Sequence, residues 1–596
     1  MKPNIFTLVV DALSFSYMQD KYHTMPFITG LMEKSHSCTN VYSQGPYTEA
    51  ALTPFYTGAD NLDLGGNFYR GNAAEQTVFE AVSNQGYRVL SYTQPLIFPA
   101  AMHRGINEER YGVSYFFSAL YDYRLNYYQH LYESGQMTQQ DFDMLDPLLE
   151  SNFSFWLQYL TDCRDGSPKA DFVNTYSDKN YDFDGNLARV QEQYAAYKAD
   201  SKAYILDIFA KGKDHPVFAI EKYDMNRKAD NDYIFEVISW KYQLFFEKLA
   251  RFNKEHNRKN SGMLAVLPRL VKAAAKCSKE GIYSALKEYY YYLKMCSTKK
   301  DLRRLLGQKS NYKPEPTMLQ YFSHFRNWLE KQKNDPFFCM IHVSDLHTPE
   351  IFFSIDSDSL EAVEGELRVM MDYLDALPVD FQGNVVYNLS MRYVDLCVEK
   401  MYRWMEEKGL LENTVFMLTA DHGSSFRFSP VRSGIVNNDY VENYHIPFLV
   451  HWQDHIPPKQ DDRFFTTKDI SKTIVALAGA DASVFTGTNV LREEGACAYS
   501  ITEYLGPGCP DLARRPIWMV IRDKRYTVAI RQNIYAPFTR KNILAVYDRQ
   551  ADPMEQQNLR SSIAYDQISD LHTALEQRLH SIAQQCRGVE HIERGE

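Results

Sequence analysis

The chain has 596 residues, 45% hydrophobic and 24% charged, an ordinary globular composition too long for one hydrophobic core. Its net charge of −11 argues against an extended surface for nucleic acid, which needs clustered Lys and Arg. Nine scattered cysteines without a C-x-x-C pair argue against a disulfide framework or a structural zinc site.

The first strand is expected at 5–10, an apolar run that ends on Asp11. No apolar leader precedes it, and no apolar run of about eighteen residues occurs later, so a cytoplasmic protein without a membrane span is expected. Helices at 25–34, 50–57 and 77–84, then a strand at 86–91, give a βαβ rhythm and imply a parallel sheet. Beyond this the texture becomes helical, at 203–211, 233–252 and 263–277, with a Tyr-rich stretch at 289–293. The sheet rhythm returns at 336–344, a nearly continuous apolar run. A helix at 387–408 follows, with apolar residues at helical spacing and Gly409 as its C-cap. Strands are expected at 415–420 and 447–451, then at 517–521, 526–530 and 543–547, with a final helix at 562–585. The division is a core in two parts, 1–104 and 336–490, a mostly helical insertion at 105–335 and a C-terminal unit at 491–596.

Open α/β sheets bind ligands beyond the carboxyl ends of their parallel strands. The strands at 5–10 and 415–420 end on Asp11 and on Asp421-His422-Gly423, so both deliver chemistry to one rim. Two carboxylates and one imidazole suit a divalent cation such as Zn²⁺, Mn²⁺, Mg²⁺ or Ca²⁺. A Gly45-Pro46 turn leads into a helix that begins at Thr48. Its hydroxyl would share the helix N-terminus with free backbone N–H groups, which suits an oxyanion. Taken alone, Thr48 reads better as an ordinary helix cap than as a nucleophile.

Taken together these residues resemble the sulfatase and alkaline phosphatase superfamily. The sulfatase motif C-x-P-S-R followed by A-A-L-x-T-G is echoed by Thr48 in the cysteine position, Ala50-Ala51-Leu52 and Thr57-Gly58. Tyr387, Asp395, Asn413-Thr414 and Asp421-His422-Gly423 follow the family order, as do Tyr547-Asp548, Asp552-Pro553, Glu555 and Asn558-Leu559. The resemblance covers roughly 1–100 and 336–560. It implies an alkaline phosphatase-like α/β sandwich with a mainly parallel sheet, a large helical insertion and a small C-terminal α+β subdomain. It also implies one or two divalent metal ions, held by Asp11, Thr48, Asp421 and His422, with Asp345 for a second ion. Thr48 would be the nucleophile, and His347 and His445 would contact the substrate or its leaving group.

The chain also departs from that pattern. Thr48 replaces the cysteine that sulfatases convert to formylglycine, Ala12 replaces the second Asp of a metal-binding pair, and 91–95 lacks the sulfate-binding Lys. An unmodified hydroxyl is the nucleophile of the phosphoryl-transfer branches. The expected activity is therefore cleavage of a glycan, lipid or small-molecule phosphoester through a phosphothreonine intermediate. The alternatives are a sulfuric ester hydrolase and a non-catalytic relative that binds a glycan or protein partner.

Overall fold

The computed structural model describes residues 2–18, 22–63, 74–93, 104–111, 121, 125–165, 183–219, 318–331, 335–346, 368–370, 372–378, 385–424, 441–492, 498–505 and 516–593. The helices expected at 233–252 and 263–277 and the Tyr-rich stretch at 289–293 lie outside them. The centre of the fold is an eight-stranded sheet: β1 (Asn4–Val10), β2 (His36–Tyr42), β3 (Arg88–Thr93), β4 (Glu108–Tyr111), β5 (Phe337–Val343), β6 (Thr414–Thr419), β7 (His445–His451) and β8 (Lys459–Thr466). Their order across the sheet is β4-β3-β5-β1-β6-β7-β2-β8. Pairing is parallel from β4 through β6 and again between β2 and β8, and antiparallel on either side of β7. This is the mainly parallel sheet expected, with β4 extending it past residue 104.

β1, β5 and β6 lie side by side at the middle of the sheet and are buried almost throughout. Parallel strands covered on both faces read as unbroken apolar runs, which is why these three were visible in the sequence. Helices Pro26–Glu33, Thr48–Thr57, Val78–Ser83, Met318–Lys331, Val385–Glu407 and Thr467–Leu477 contribute to the same core, through residues such as Ile28, Leu52, Phe79, Phe325, Val394 and Ile474. Gly409 ends the long helix in the left-handed region, φ 68°, as its C-cap role requires.

A second core is entirely helical among the described residues, formed by Asn126–Glu133, Gln139–Arg164, Phe183–Ala199 and Ser201–Lys211 around Trp156 and Phe153. The C-terminal unit is a four-stranded antiparallel sheet, β9 (Ser500–Leu505), β10 (Ile517–Arg522), β11 (Tyr526–Gln532) and β12 (Ile543–Asp548). Helix Ser569–Glu593 packs on it through Leu575, Leu579 and Ile582. The buried Arg522 guanidinium ties this unit to the main sheet, lying over the rings of Tyr42 and Tyr444 at 5.2 and 4.7 Å. No helix among the described residues is long and apolar enough to cross a membrane.

Candidate metal centre and nucleophile

The register of the central strands assembles the site. The Asp11 N–H donates to the Val343 carbonyl at 2.8 Å, so Asp11 extends the β1–β5 ladder by one residue before the chain turns. Ala12 then takes a left-handed conformation, φ 63°, which a non-glycine residue holds only when its surroundings enforce it. Two contacts enforce it here: the Ala12 N–H donates to Asp421 Oδ1 at 3.2 Å, and the Tyr387 hydroxyl donates to the Ala12 carbonyl at 2.6 Å. Tyr387, on the long helix, thereby acts on the turn that aims Asp11. Its companion Asp395 has another task, accepting from the Phe27 and Ile28 N–H groups at the start of helix Pro26–Glu33.

Asp421 follows β6 and divides its oxygens between two purposes. Oδ1 accepts from the His422 N–H at 2.7 Å as well as from Ala12. Oδ2 is buried without a hydrogen-bond partner among the described residues and lies 3.6 Å from His422 Nε2. His422 Nδ1 sits 2.7 Å from the Gly423 carbonyl, an acceptor only, so Nδ1 carries the proton and Nε2 presents a lone pair. Gly423 is required because a Cβ there would stand 1.9 Å from the Glu442 carbonyl oxygen. Asp11 Oδ1 lies 3.4 Å from the same Nε2. Asp11, Asp421 and His422 are buried and offer ligand atoms within 4.8 Å of one another.

Thr48 opens its helix beside this cluster, its Oγ1 3.3 Å from His422 Nε2. The N-cap residue is Tyr47, whose side chain makes no capping bond, so the Thr48 hydroxyl is directed at the histidine. Gly45 allows the close approach, since a Cβ on it would fall 2.2 Å from the Ala50 Cβ. The sequence pattern therefore brings Asp11, Thr48, Asp421 and His422 to one place. An orphaned buried carboxylate oxygen beside an unprotonated ring nitrogen fits a divalent cation, which would satisfy both.

Burial alone would raise the Asp421 carboxyl, but His422, His342 and the His422 N–H hold it below the usual carboxylate range. His342 was not singled out in the sequence, where it reads as one polar residue in an apolar strand. It is 1% exposed, and its Nε2 lies 3.5 Å from Asp421 Oδ2 and 3.9 Å from Asp11 Oδ2. Burial pulls its basicity down, and the two carboxylates raise it above that of an ordinary histidine. The available signal was register: His342 pairs with Val9, two residues before Asp11.

The other expected site residues fare differently. His347 lies outside the described residues. Both Asp345 carboxylate oxygens face the N–H of Met318, at 3.4 and 3.2 Å, where it opens helix Met318–Lys331. These contacts place the Asp345 carboxylate at a helix start. His445 does reach the active rim, because β7 runs antiparallel to β6, but its ring is packed. It lies between Phe15 and Tyr42, with centroids at 4.6 and 5.0 Å, and donates from Nε2 to the Thr39 carbonyl at 2.7 Å. Burial pushes its pKa down to about 3, so the ring stays neutral, which fits a packing role. His445→Gln should therefore cost about 1–3 kcal/mol of stability in urea unfolding and change turnover by no more than about threefold. A large loss of turnover with unchanged stability would return His445 to the site.

The family model described as Sulfatase matches residues 271–480. The chain is 29% identical over 161 residues to the endo-4-O-sulfatase of Bacteroides thetaiotaomicron, covering 25% of this chain and 30% of that protein. It is 23% identical over 158 residues to the arylsulfatase of Hemicentrotus pulcherrimus, covering 26% of this chain and 25% of that protein. The matches thus span less than a third of either relative's length. Among solved structures, the phosphonate monoester hydrolase of Silicibacter pomeroyi aligns over 98% of this chain and 96% of its own, at 12% identity and a TM-score of 0.45.

Proposed function

We propose that the chain, whose residues 271–480 match the Sulfatase family model, is a sulfatase-like member of the alkaline phosphatase superfamily and hydrolyses a sulfate or phosphate ester with Thr48 as nucleophile. The observation that carries this reading is the Thr48 hydroxyl, 3.3 Å from His422 Nε2 at the edge of the buried Asp11–Asp421–His422 cluster. Thr48 Oγ1 attacks the sulfur or phosphorus, the ester oxygen leaves with the bonding pair and takes up a proton, and a sulfo- or phosphothreonine remains. Water then attacks the same atom, releases sulfate or phosphate and restores the hydroxyl. A divalent cation held by Asp11, Asp421 and His422 would supply the charge that favours the Thr48 alkoxide and offsets that on the nonbridging oxygens. The N–H groups at the start of helix Thr48–Thr57 point the same way electrically.

Two considerations bear on the reacting centre. An unmodified Thr48 favours phosphorus, since sulfatases proper use formylglycine. The relatives, both named as sulfatases, favour the sulfuric ester alternative, and theirs is the better-supported choice because the cluster itself suits either tetrahedral anion. The deciding experiment combines metal analysis with initial rates on an aryl sulfate, an aryl phosphate, a diaryl phosphate and an aryl phosphonate monoester. We expect metal-dependent turnover of at least one, abolished by chelation and restored by the ion. Full metal occupancy with no turnover of any of them would favour the non-catalytic reading instead.

A further inference from the structure

We propose that Asn61 is a positioning residue for Thr48, tying the start of the nucleophile's helix to the turn before it and to the C-terminal unit. The inference rests on the reading of Thr48 as nucleophile and adds a residue outside the sequence pattern that led to it. Its origin is Pro54, which stands inside helix Thr48–Thr57. Proline has no N–H, so the Ala50 carbonyl loses the bond that residue i+4 normally gives it. Ala50 is fully buried, so solvent does not replace that bond. Gly58 ends the helix in the left-handed region, φ 64°, and the chain returns toward its first turn. Asn61 then lies buried beside that turn, and its Nδ2 donates to the Ala50 carbonyl at 2.5 Å.

The same amide nitrogen also faces the Gln44 and Glu503 carbonyls, each at 3.3 Å. Three carbonyls around one end of the side chain identify that end as the NH₂, whose two protons they share. Ala50 belongs to the nucleophile's helix, Gln44 to the turn that leads into it, and Glu503 to β9. β9 is the edge strand of the small sheet, so part of its backbone is left for partners outside the ladder. Leu505 uses its carbonyl to accept from the Tyr47 hydroxyl, and Thr502 Oγ1 donates to the Ser43 carbonyl at 3.0 Å. Asp60 completes the grip on Gln44, accepting from its Nε2 while Lys468 Nζ holds the other carboxylate oxygen at 2.7 Å. Asp11, Asp421 and His422 instead follow β1 and β6 of the central sheet, so their places are set separately. Asn61 therefore acts on the aim of the Thr48 hydroxyl, 3.3 Å from His422 Nε2, and leaves the carboxylates and the imidazole alone.

A double variant separates positioning from support of the fold. Asn61→Ala removes all three bonds. Adding Pro54→Ala gives the helix an N–H for the Ala50 carbonyl, while the Gln44 and Glu503 carbonyls stay unheld. Rates on the aryl ester that the wild type turns over fastest would be measured in the full chain, with urea unfolding and acid-quenched trapping of the adduct on residue 48. Zn²⁺ affinity would be measured by competition with a chromophoric chelator. We expect kcat and the rate of adduct formation to fall about 100-fold in Asn61→Ala, with KM and Zn²⁺ affinity within about threefold of wild type. Its urea midpoint should fall, and Pro54→Ala in the same background should restore most of the midpoint but not kcat. Recovery of kcat along with the midpoint, or a kcat in Asn61→Ala within about threefold of wild type, would overturn the proposal and leave Asn61 a helix pin. So would a loss of Zn²⁺ affinity that accounts for the fall in kcat. If Asn61→Ala alone does not fold, the double variant carries the test: low kcat with unchanged KM and Zn²⁺ affinity supports positioning, and near-wild-type kcat overturns it. No adduct on residue 48 in the wild type, with Thr48→Ala still active, would instead overturn the nucleophile reading beneath it.

Discussion

Thr48→Ala is expected to lower ester hydrolysis by about 10⁴-fold or more at saturating metal, the scale on which removing a covalent nucleophile acts. The hydroxyl contacts His422 Nε2 at 3.3 Å, and the side chain makes no helix cap, so its loss removes chemistry more than structure. Thermal unfolding should accordingly change by about 1 kcal/mol or less. Thr48→Ser keeps the hydroxyl and should retain turnover, with a covalent adduct trapped on residue 48 in acid-quenched wild type. Metal content is measured alongside, because Thr48 is itself a candidate ligand. If Thr48→Ala kept more than about a tenth of wild-type turnover, the threonine mechanism would be wrong, whatever the reacting centre.

The sequence exposed the parts of the fold that are buried on both faces. β1, β5 and β6 read as apolar runs ending in Asp or a turn, and their adjacency made the rim predictable. β2, His-Ser-Cys-Thr-Asn-Val-Tyr, and the edge strand β8, Lys-Gln-Asp-Asp-Arg-Phe-Phe-Thr, carry too much polar character for such a signal. Their place depends on partners hundreds of residues away, as in the pairing of His36 with Val450, and no local pattern encodes that. The helix Gln139–Arg164 was missed for another reason: its apolar face is satisfied inside the separate helical core, not against the sheet.

At the site, residues that end strands were legible and side-chain directions were not. Asp11, Asp421 and His422 follow from strand ends, and Thr48 from a turn into a helix. Asp345 and His445 satisfy the same rule of placement, yet one accepts from a helix N–H and the other donates to a backbone carbonyl. A strand end fixes where a Cα lies, while the nearest unsatisfied donor or acceptor decides where the side chain turns. His342 shows the converse: a histidine inside an apolar run carried no site signal in the sequence, and register sets it beside two carboxylates.

Asp421→Asn carries the second large effect, and it separates charge from shape. The amide oxygen can still accept from the Ala12 and His422 N–H groups, so the left-handed turn at Ala12 and the β1–β6 spacing should survive. What changes is Oδ2, which becomes an NH₂ donor directed at the lone pair of His422 Nε2 and at His342 Nε2. A ligand atom is thereby replaced by a hydrogen-bond donor that satisfies the imidazole in the ion's stead. Affinity for Zn²⁺ should fall by about 100-fold or more, at or beyond the upper end of what outer-shell changes cost. Turnover at fixed metal should fall with it, and raising the metal concentration should recover only part, because one negative charge is gone from the site permanently. Without metal the order of stability should reverse: Asp421 is a buried carboxylate with an orphaned oxygen, and the amide relieves that cost. Chelated Asp421→Asn is therefore expected to unfold at a higher temperature than chelated wild type, and the ranking should invert when metal is restored. The same ranking with and without metal would mean that no ion binds at Asp421, and the metal centre would have to be sought elsewhere.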